Sequence, residues 1–387
     1  MTNKPQNTKE QQRLMSIDAL RGLVMLFMLV DHARETFFLH MQVADPVDAA
    51  TVDTGLFFTR LLSTICAPAF VFLTGLSAYL YGQSHSKHET SIFLLKRGFF
   101  LMFLELTIIG FVWTGQFPPE KLFLQVIWAI GVCMIVLAVL IHLSHAKIAF
   151  LAIVIIAGHN LLDGISFAEQ SPFYLPWAML HEVVFFETTF GVTIKTTYPV
   201  LAWIGVIALG YAVGPWFGKT TTACDRQKTL IKYGIAMIVT FCVIRAFNVY
   251  GDIPWSAQEG LVRTAIAFLS LTKYPPSLLF LLPTLGLSLI LLAYYEKIQE
   301  RSWMVEKLAI LGGAPMFFYI LHLYVLRVFY LILVTIYGKT QGSYYGVDHL
   351  YMVWAWSLAL VVPLYYPSAW FANLKRRRRD IKWLRYL

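Results

Sequence analysis

The chain has 387 residues, 58% hydrophobic and 14% charged, with a mean hydropathy of +0.63 and a formal net charge of +9. A soluble domain carries about a quarter charged residues, so that class is excluded and an integral membrane protein fits. Cys66, Cys133, Cys224 and Cys242 are scattered without a CxxC or Cys/His cluster, which leaves no disulfide framework and no metal-ligand pattern.

Residues 1–13 are polar, show no cleavable signal pattern, and read as an N-terminal tail. Ten apolar stretches follow, each near the roughly 20 residues that a helix needs to cross a bilayer. Their approximate limits are 14–38, 58–82, 92–113, 122–142, 147–163, 197–217, 229–248, 276–295, 308–336 and 350–372. The predicted fold is an all-α membrane bundle of about ten spans, one domain over 14–372, with a basic tail at 373–387. Gly312, Gly313 and Pro315 predict a break in the ninth stretch, because proline interrupts the helical hydrogen-bond ladder. That stretch has room for an eleventh span.

The first span, LMSIDALRGLVMLFMLVDHARETFFL, carries charges where a membrane helix should have none. Each costs about 2.5 to 3.5 kcal/mol at a helix centre on insertion scales. Asp18 and Arg21 are three residues apart and share a face, either as a packing ion pair or as working groups. Arg21 and His32 are eleven apart, which places them within about 20° of one another and about 16 Å apart along the axis. Asp31 precedes His32 but points about 100° away, so a carboxylate from another helix is the expected partner of the imidazole.

Further along, Glu105 lies mid-span in FFLMFLELTIIG and must pair or face water. Gln125 and Trp128 open the fourth span as candidates for substrate contact, Trp128 also as an interface anchor. His159, Asn160 and Asp163 cluster at the end of the fifth, where Asn160 serves either substrate or helix capping. Arg245 is expected to snorkel to the headgroups. His322 lies deep in the ninth stretch, followed by Arg327. The connections 164–196 and 249–275 are aromatic-rich, and LPWAMLHEVVFF suggests an interfacial helix.

Lys and Arg set the orientation. The segments on one side, both termini among them, hold 21 basic residues; the other side holds seven, Arg34, Arg60, Lys195 and Lys273 included. Both termini are therefore expected in the cytoplasm, with the tail KRRRRDIKWLRYL against anionic lipid headgroups rather than nucleic acid. Asp18 and Arg21 fall near the cytoplasmic face, and Asp31 and His32 near the outer one.

The S-x-D-x-L-R-G…H pattern of Ser16, Asp18, Leu20, Arg21, Gly22 and His32 is joined by CAPAFVFLTG, LKRGFFLMFLELT, LQVIWAIG, HNLLDG, YPVLAWIGVIALGYAVG and APMFFYILHLY. Together they resemble the bacterial DUF1624 family, which is similar to the catalytic domain of heparan-α-glucosaminide N-acetyltransferase and to the wider transmembrane acyltransferases. The resemblance covers most of the chain. It implies acetyl transfer from cytoplasmic acetyl-CoA to a sugar or other envelope acceptor at the outer side of the cell membrane, without a metal. It further implies that Asp18, Arg21, Lys96, Arg97 and His322 serve the donor, that His32 is the base with Asp31 and Glu105 in support, that Asn160 stabilises the oxyanion, and that Gln125, Trp128 and Asp163 meet the acceptor. Thr64 stands where many relatives have a histidine, which leaves His32, or His40 from the following loop, to supply the imidazole. The competing class is a proton-coupled transporter or lipid-handling protein using Asp18, Arg21, Glu105 and His322. Membrane lipid, a small-molecule or glycan acceptor and a second copy of the chain are the expected partners.

Overall fold

A computed structural model describes residues 14–387 apart from Phe190, Lys219 and Arg379; the predicted tail 1–13 lies outside the described residues. The first stretch forms α1 (Met15–Phe37), and the second divides into α2 (Thr54–Ser63) and α3 (Cys66–Gly82). The third is α4 (Lys87–Leu104), opened by a Ser86/Glu89 capping box, which continues through a π-helical turn at Glu105–Ile109 into α5 (Gly110–Thr114). Next come α6 (Val126–Leu140), α7 (His145–Gly158), α8 (Tyr174–His181), α9 (Leu201–Ala212) and α10 (Ala223–Phe247). The chain ends with α11 (Leu261–Leu269), α12 (Leu278–Ile298), α13 (Trp303–Leu311), α14 (Pro315–Tyr337) and α15 (Leu350–Arg377). The predicted break in the ninth stretch is the α13–α14 junction. Pro315 opens α14, where its missing N–H has no intrahelical partner to lose.

Among the described residues, six helical segments are long and apolar enough to cross a membrane: Thr54–Gly82, His145–Leu162, Ala223–Phe247, Leu278–Ile298, Pro315–Tyr337 and Leu350–Arg377. Their burial separates an inner set from an outer one. The apolar windows of Thr54–Gly82 and α12 are 72% buried, whereas that of α15 is 17% buried. In the outer helices the apolar side chains that face away from the protein are the ones a bilayer would solvate.

Helix α1 is central. It packs against α2, α3, α12, α13, α14 and α15, and buried residues occur all around its circumference, as expected of a helix enclosed by others. Its closest approach is to the α13 end. A side chain on Gly22 would strike the Leu308 carbonyl, and one on Gly312 would strike the Asp18 carbonyl. Small residues at such a crossing let the backbones meet, the way helices associate where lipid supplies no hydrophobic drive.

The all-α expectation needs one correction. Three short strands, β1 (Lys121–Phe123), β2 (Phe185–Glu187) and β3 (Thr193–Lys195), form a sheet in the order β1-β3-β2. β1 runs parallel to β3, with Leu122 opposite Ile194, and β2 runs antiparallel to it. Three-residue strands are too short for alternation to show in sequence. The expected interfacial helix exists as α8, but the VVFF that followed it in the prediction enters β2 instead. Arg245 does not snorkel. It is 2% exposed and donates to the carbonyls of Ala267, Phe268, Ser270 and Ile253. Its planar fork of donors satisfies acceptors left over at the end of α11.

Candidate functional site

His32 lies in the last turns of α1 on the side packed by α14. Its Nδ1 is 2.6 Å from Nε2 of His322, whose own Nδ1 is 2.8 Å from the Phe318 carbonyl one turn earlier. Those partners settle the tautomers. A carbonyl only accepts, so Nδ1 of His322 carries hydrogen, and its Nε2 accepts from the Nδ1–H of His32. The Nε2 of His32 is then left with a bare lone pair, and it makes no hydrogen bond among the described residues. The two rings are nearly coplanar, 4° apart, and the His32 ring meets Trp113 and Tyr319 edge-on at 5.6 and 5.9 Å. The expected carboxylate partner is thus replaced by a second histidine.

His32 borders a cavity of 670 Å³, beside Trp113, Gln125, Tyr274, Tyr319 and Arg327. Five cationic side chains, Arg34, Arg60, Lys195, Lys273 and Arg327, share it with three carboxylates, Asp31, Glu35 and Asp45. Asp31 binds Arg34 at 3.0 Å and lies 4.0 Å from Lys273. Asp45 accepts from Arg60 at 2.8 Å and from the Lys273 and Tyr274 backbone N–H groups. Burial pushes the Asp45 carboxyl above its ordinary value, against the pull of Arg60. The Tyr198 and Tyr274 hydroxyls are 3.2 Å apart, and burial pushes the Tyr274 phenol up, so the pair acts through hydrogen bonding.

Three polar atoms on residues lining this cavity lack a partner among the described residues: Trp113 Nε1, Tyr319 Oη and Thr197 Oγ1. An unmet buried donor costs about 1 to 3 kcal/mol. A ligand oxygen that satisfied one of them would recover that cost.

The remaining predicted residues separate into three places. Glu105 is buried and its Oε2 accepts the Trp128 N–H at 3.2 Å. It thereby puts a carboxylate at the first turn of α6, where the helix dipole favours negative charge. Trp128 is likewise buried in the core instead of anchoring at an interface. Asn160 accepts the Leu278 N–H, capping α12, and donates to Asp163, which also meets His181 at 2.9 Å. None of these four lines the His32 cavity, nor does His40. Replacing Asn160 with Ala is expected to cost about 1 kcal/mol of stability, the worth of a cap, read as a lower unfolding temperature in detergent. A hundredfold loss of turnover at unchanged stability would instead assign it to the chemistry.

Toward the other end of α1, Arg21 binds Asp18 at 2.8 Å and donates to the Ser77 hydroxyl. Asp18 borders a second cavity of 340 Å³ together with Glu306 and Arg376. Arg97 has no partner for its Nε among the described residues, and Lys96 is exposed. The structure therefore brings His32, Asp31 and Gln125 together with His322 behind them, and keeps Asp18 and Arg21 apart from them. Trp113, Tyr319, Lys273 and Tyr274 were not legible as site residues. Aromatic residues fill every span, and Lys273 sits in a connection whose path the sequence does not disclose.

A family model described as heparan-alpha-glucosaminide N-acetyltransferase, catalytic, matches residues 13–251. No curated protein matches the chain. The matched region includes α1 and His32 and ends before α12, so Lys273 and His322 lie beyond it.

Proposed function

Because the chain belongs to the family of the heparan-α-glucosaminide N-acetyltransferase catalytic domain, we propose that it is a membrane acetyltransferase that draws on acetyl-CoA from the cytoplasm and uses His32 as its general base. The observation that carries this reading is the His32–His322 hydrogen bond, which turns the free Nε2 of His32 into an acceptor at the edge of a 670 Å³ cavity. The acceptor, a sugar hydroxyl or amine of the cell envelope, gives its proton to Nε2 as its heteroatom bonds the thioester carbonyl carbon. Collapse of the tetrahedral adduct breaks the carbon–sulfur bond, and His32 returns the proton to the leaving thiolate. Trp113 and Tyr319, with their unmet donors beside the imidazole, stabilise the oxyanion in this scheme. That role falls to them because Asn160 is occupied at the α12 cap.

The donor fits the opposite end of α1. Arg21 and Arg97 offer positive charge there, and the Arg97 Nε lacks a partner among the described residues, as suits an anionic group. Eleven residues of helix, about 16 Å, separate Arg21 from His32, a distance for the thin thioester arm to cover. The predicted arrangement of about ten spans in the inner membrane, both termini cytoplasmic, accords with this polarity. The excess of cationic side chains around His32 suits an acceptor bearing negative charge.

Purified protein in liposomes, given radiolabelled acetyl-CoA and a crude envelope glycan fraction, is expected to move label to that fraction. Failure to bind CoA at millimolar concentration overturns the reading. His322→Phe removes the acceptor of the His32 Nδ1–H while keeping an aromatic ring. It is expected to lower kcat about a hundredfold, the scale of a misdirected base, with KM for acetyl-CoA within about twofold. A matching fall in donor affinity would instead place His322 in donor binding.

A further inference from the structure

A groove of 320 Å³ opens on the flank of the bundle between α2 and α12. Phe27, Phe57, Leu271 and Phe280 line it, together with Leu62 and Leu287, which are 41% and 44% exposed. Both α2 and α12 belong to segments long and apolar enough to cross a membrane, so this opening faces lipid. Arg60 and Lys273 line both the groove and the His32 cavity, and the two spaces meet at that pair.

The two cations differ. The Arg60 guanidinium is engaged by Asp45 and by the Ala44 carbonyl. Lys273 is 7% exposed, yet its ammonium makes no hydrogen bond among the described residues. Its nearest carboxylate is Asp31 at 4.0 Å, and it stands over the Tyr274 ring at 5.2 Å. An ammonium has three donors to satisfy, and this one lines both spaces, where a ligand can reach it. With five cations against three carboxylates around the cavity, an added anion at Lys273 improves the balance.

The sequence of environments is apolar on the membrane side, cationic at the seam and polar beyond it. We infer that the groove holds the hydrocarbon chain of a lipid whose phosphate-type anion meets Lys273, with the rest of its headgroup reaching the cavity of His32. The inference rests on the acyl-transfer reading in one respect, that this lipid is the carrier of the acceptor. A chain leaving the bilayer for the groove exchanges one apolar medium for another and gains little. Selectivity therefore comes from the charged seam.

The test uses the full chain in maltoside micelles with a photoactivatable long-chain alkyl phosphate, the labelled peptides being located by mass spectrometry. Label is expected on the groove segments of α2 and α12. Lys273→Gln should reduce it about tenfold, the worth of one hydrogen bond to a charged group. Leu287→Trp, at a partly exposed position that tolerates bulk, should reduce it comparably by filling the groove. The same chain with a trimethylammonium head should label weakly, and excess inorganic phosphate should not compete. Equal labelling by the cationic probe, label spread over all apolar helices, or displacement by inorganic phosphate alone overturns the inference. His32→Ala should keep the label. If labelling fails while acetyl transfer still depends on His32, the lipid site falls and the acetyltransferase stands.

Discussion

His32→Ala is expected to slow acetyl transfer about a thousandfold, within the range that general-base catalysis supplies, while leaving acetyl-CoA binding intact. The reasoning lies in the direction of one hydrogen bond. The Phe318 carbonyl fixes the His322 tautomer, and His322 fixes that of His32, so the cavity-facing nitrogen is always the one without hydrogen. Alanine removes that acceptor and leaves the space lined by Trp113 and Tyr319 otherwise in place. Initial rates with radiolabelled acetyl-CoA, alongside calorimetric CoA binding, separate the two effects. A variant whose rate stays within tenfold of the parent would remove His32 from the chemistry.

The second large effect concerns folding. Arg226→Ala is expected to destabilise the protein by about 3 to 5 kcal/mol, the cost of leaving one member of a buried ion pair alone. Arg226 and Glu296 are 7% and 6% exposed, and the arginine Nε lies 2.9 and 3.0 Å from the two carboxylate oxygens. They join the start of α10 to the end of α12. Arginine alone is not what stability requires there. Desolvating both charges offsets most of their attraction, so Arg226→Met combined with Glu296→Leu should recover most of the loss. Thermal unfolding in detergent checks both variants. A double variant no more stable than Arg226→Ala would show that the charges themselves are needed.

Much of the architecture was legible because lipid permits few solutions. Backbone groups must bond within their own segment, so a run of apolar residues near membrane length reads as a helix. The α13–α14 break was legible for the same reason, since Gly312, Gly313 and Pro315 leave the ladder unsupported. The sheet joining Lys121–Phe123 to two strands of a later connection depends on pairing across some seventy residues and has no local signature. In the site, the rise of α1 sets Arg21 and His32 about 16 Å apart, the one meeting Ser77 of α3 and the other His322 of α14. The partner of His32 was not legible, because it sits 290 residues away and a second histidine is an unusual choice. Arg245 shows the opposite failure, while Asn160 resolves to the capping alternative. The arginine's type suggested headgroup contact, yet both side chains are consumed by unpaired groups at a helix end.

The hydrogen bond from His322 to the Phe318 carbonyl also decides where a captured proton can go. His322 cannot pass it inward, because its far nitrogen already holds a hydrogen committed to the helix backbone. The pair is a terminus and not a wire. A proton lifted from the acceptor leaves by the route it came, on the departing sulfur. In the proposed reaction, one hydrogen then travels back with the thiol for each acetyl group transferred. For a neutral acceptor, the proposed transfer is electroneutral, because the acetyl group and the hydrogen exchange places.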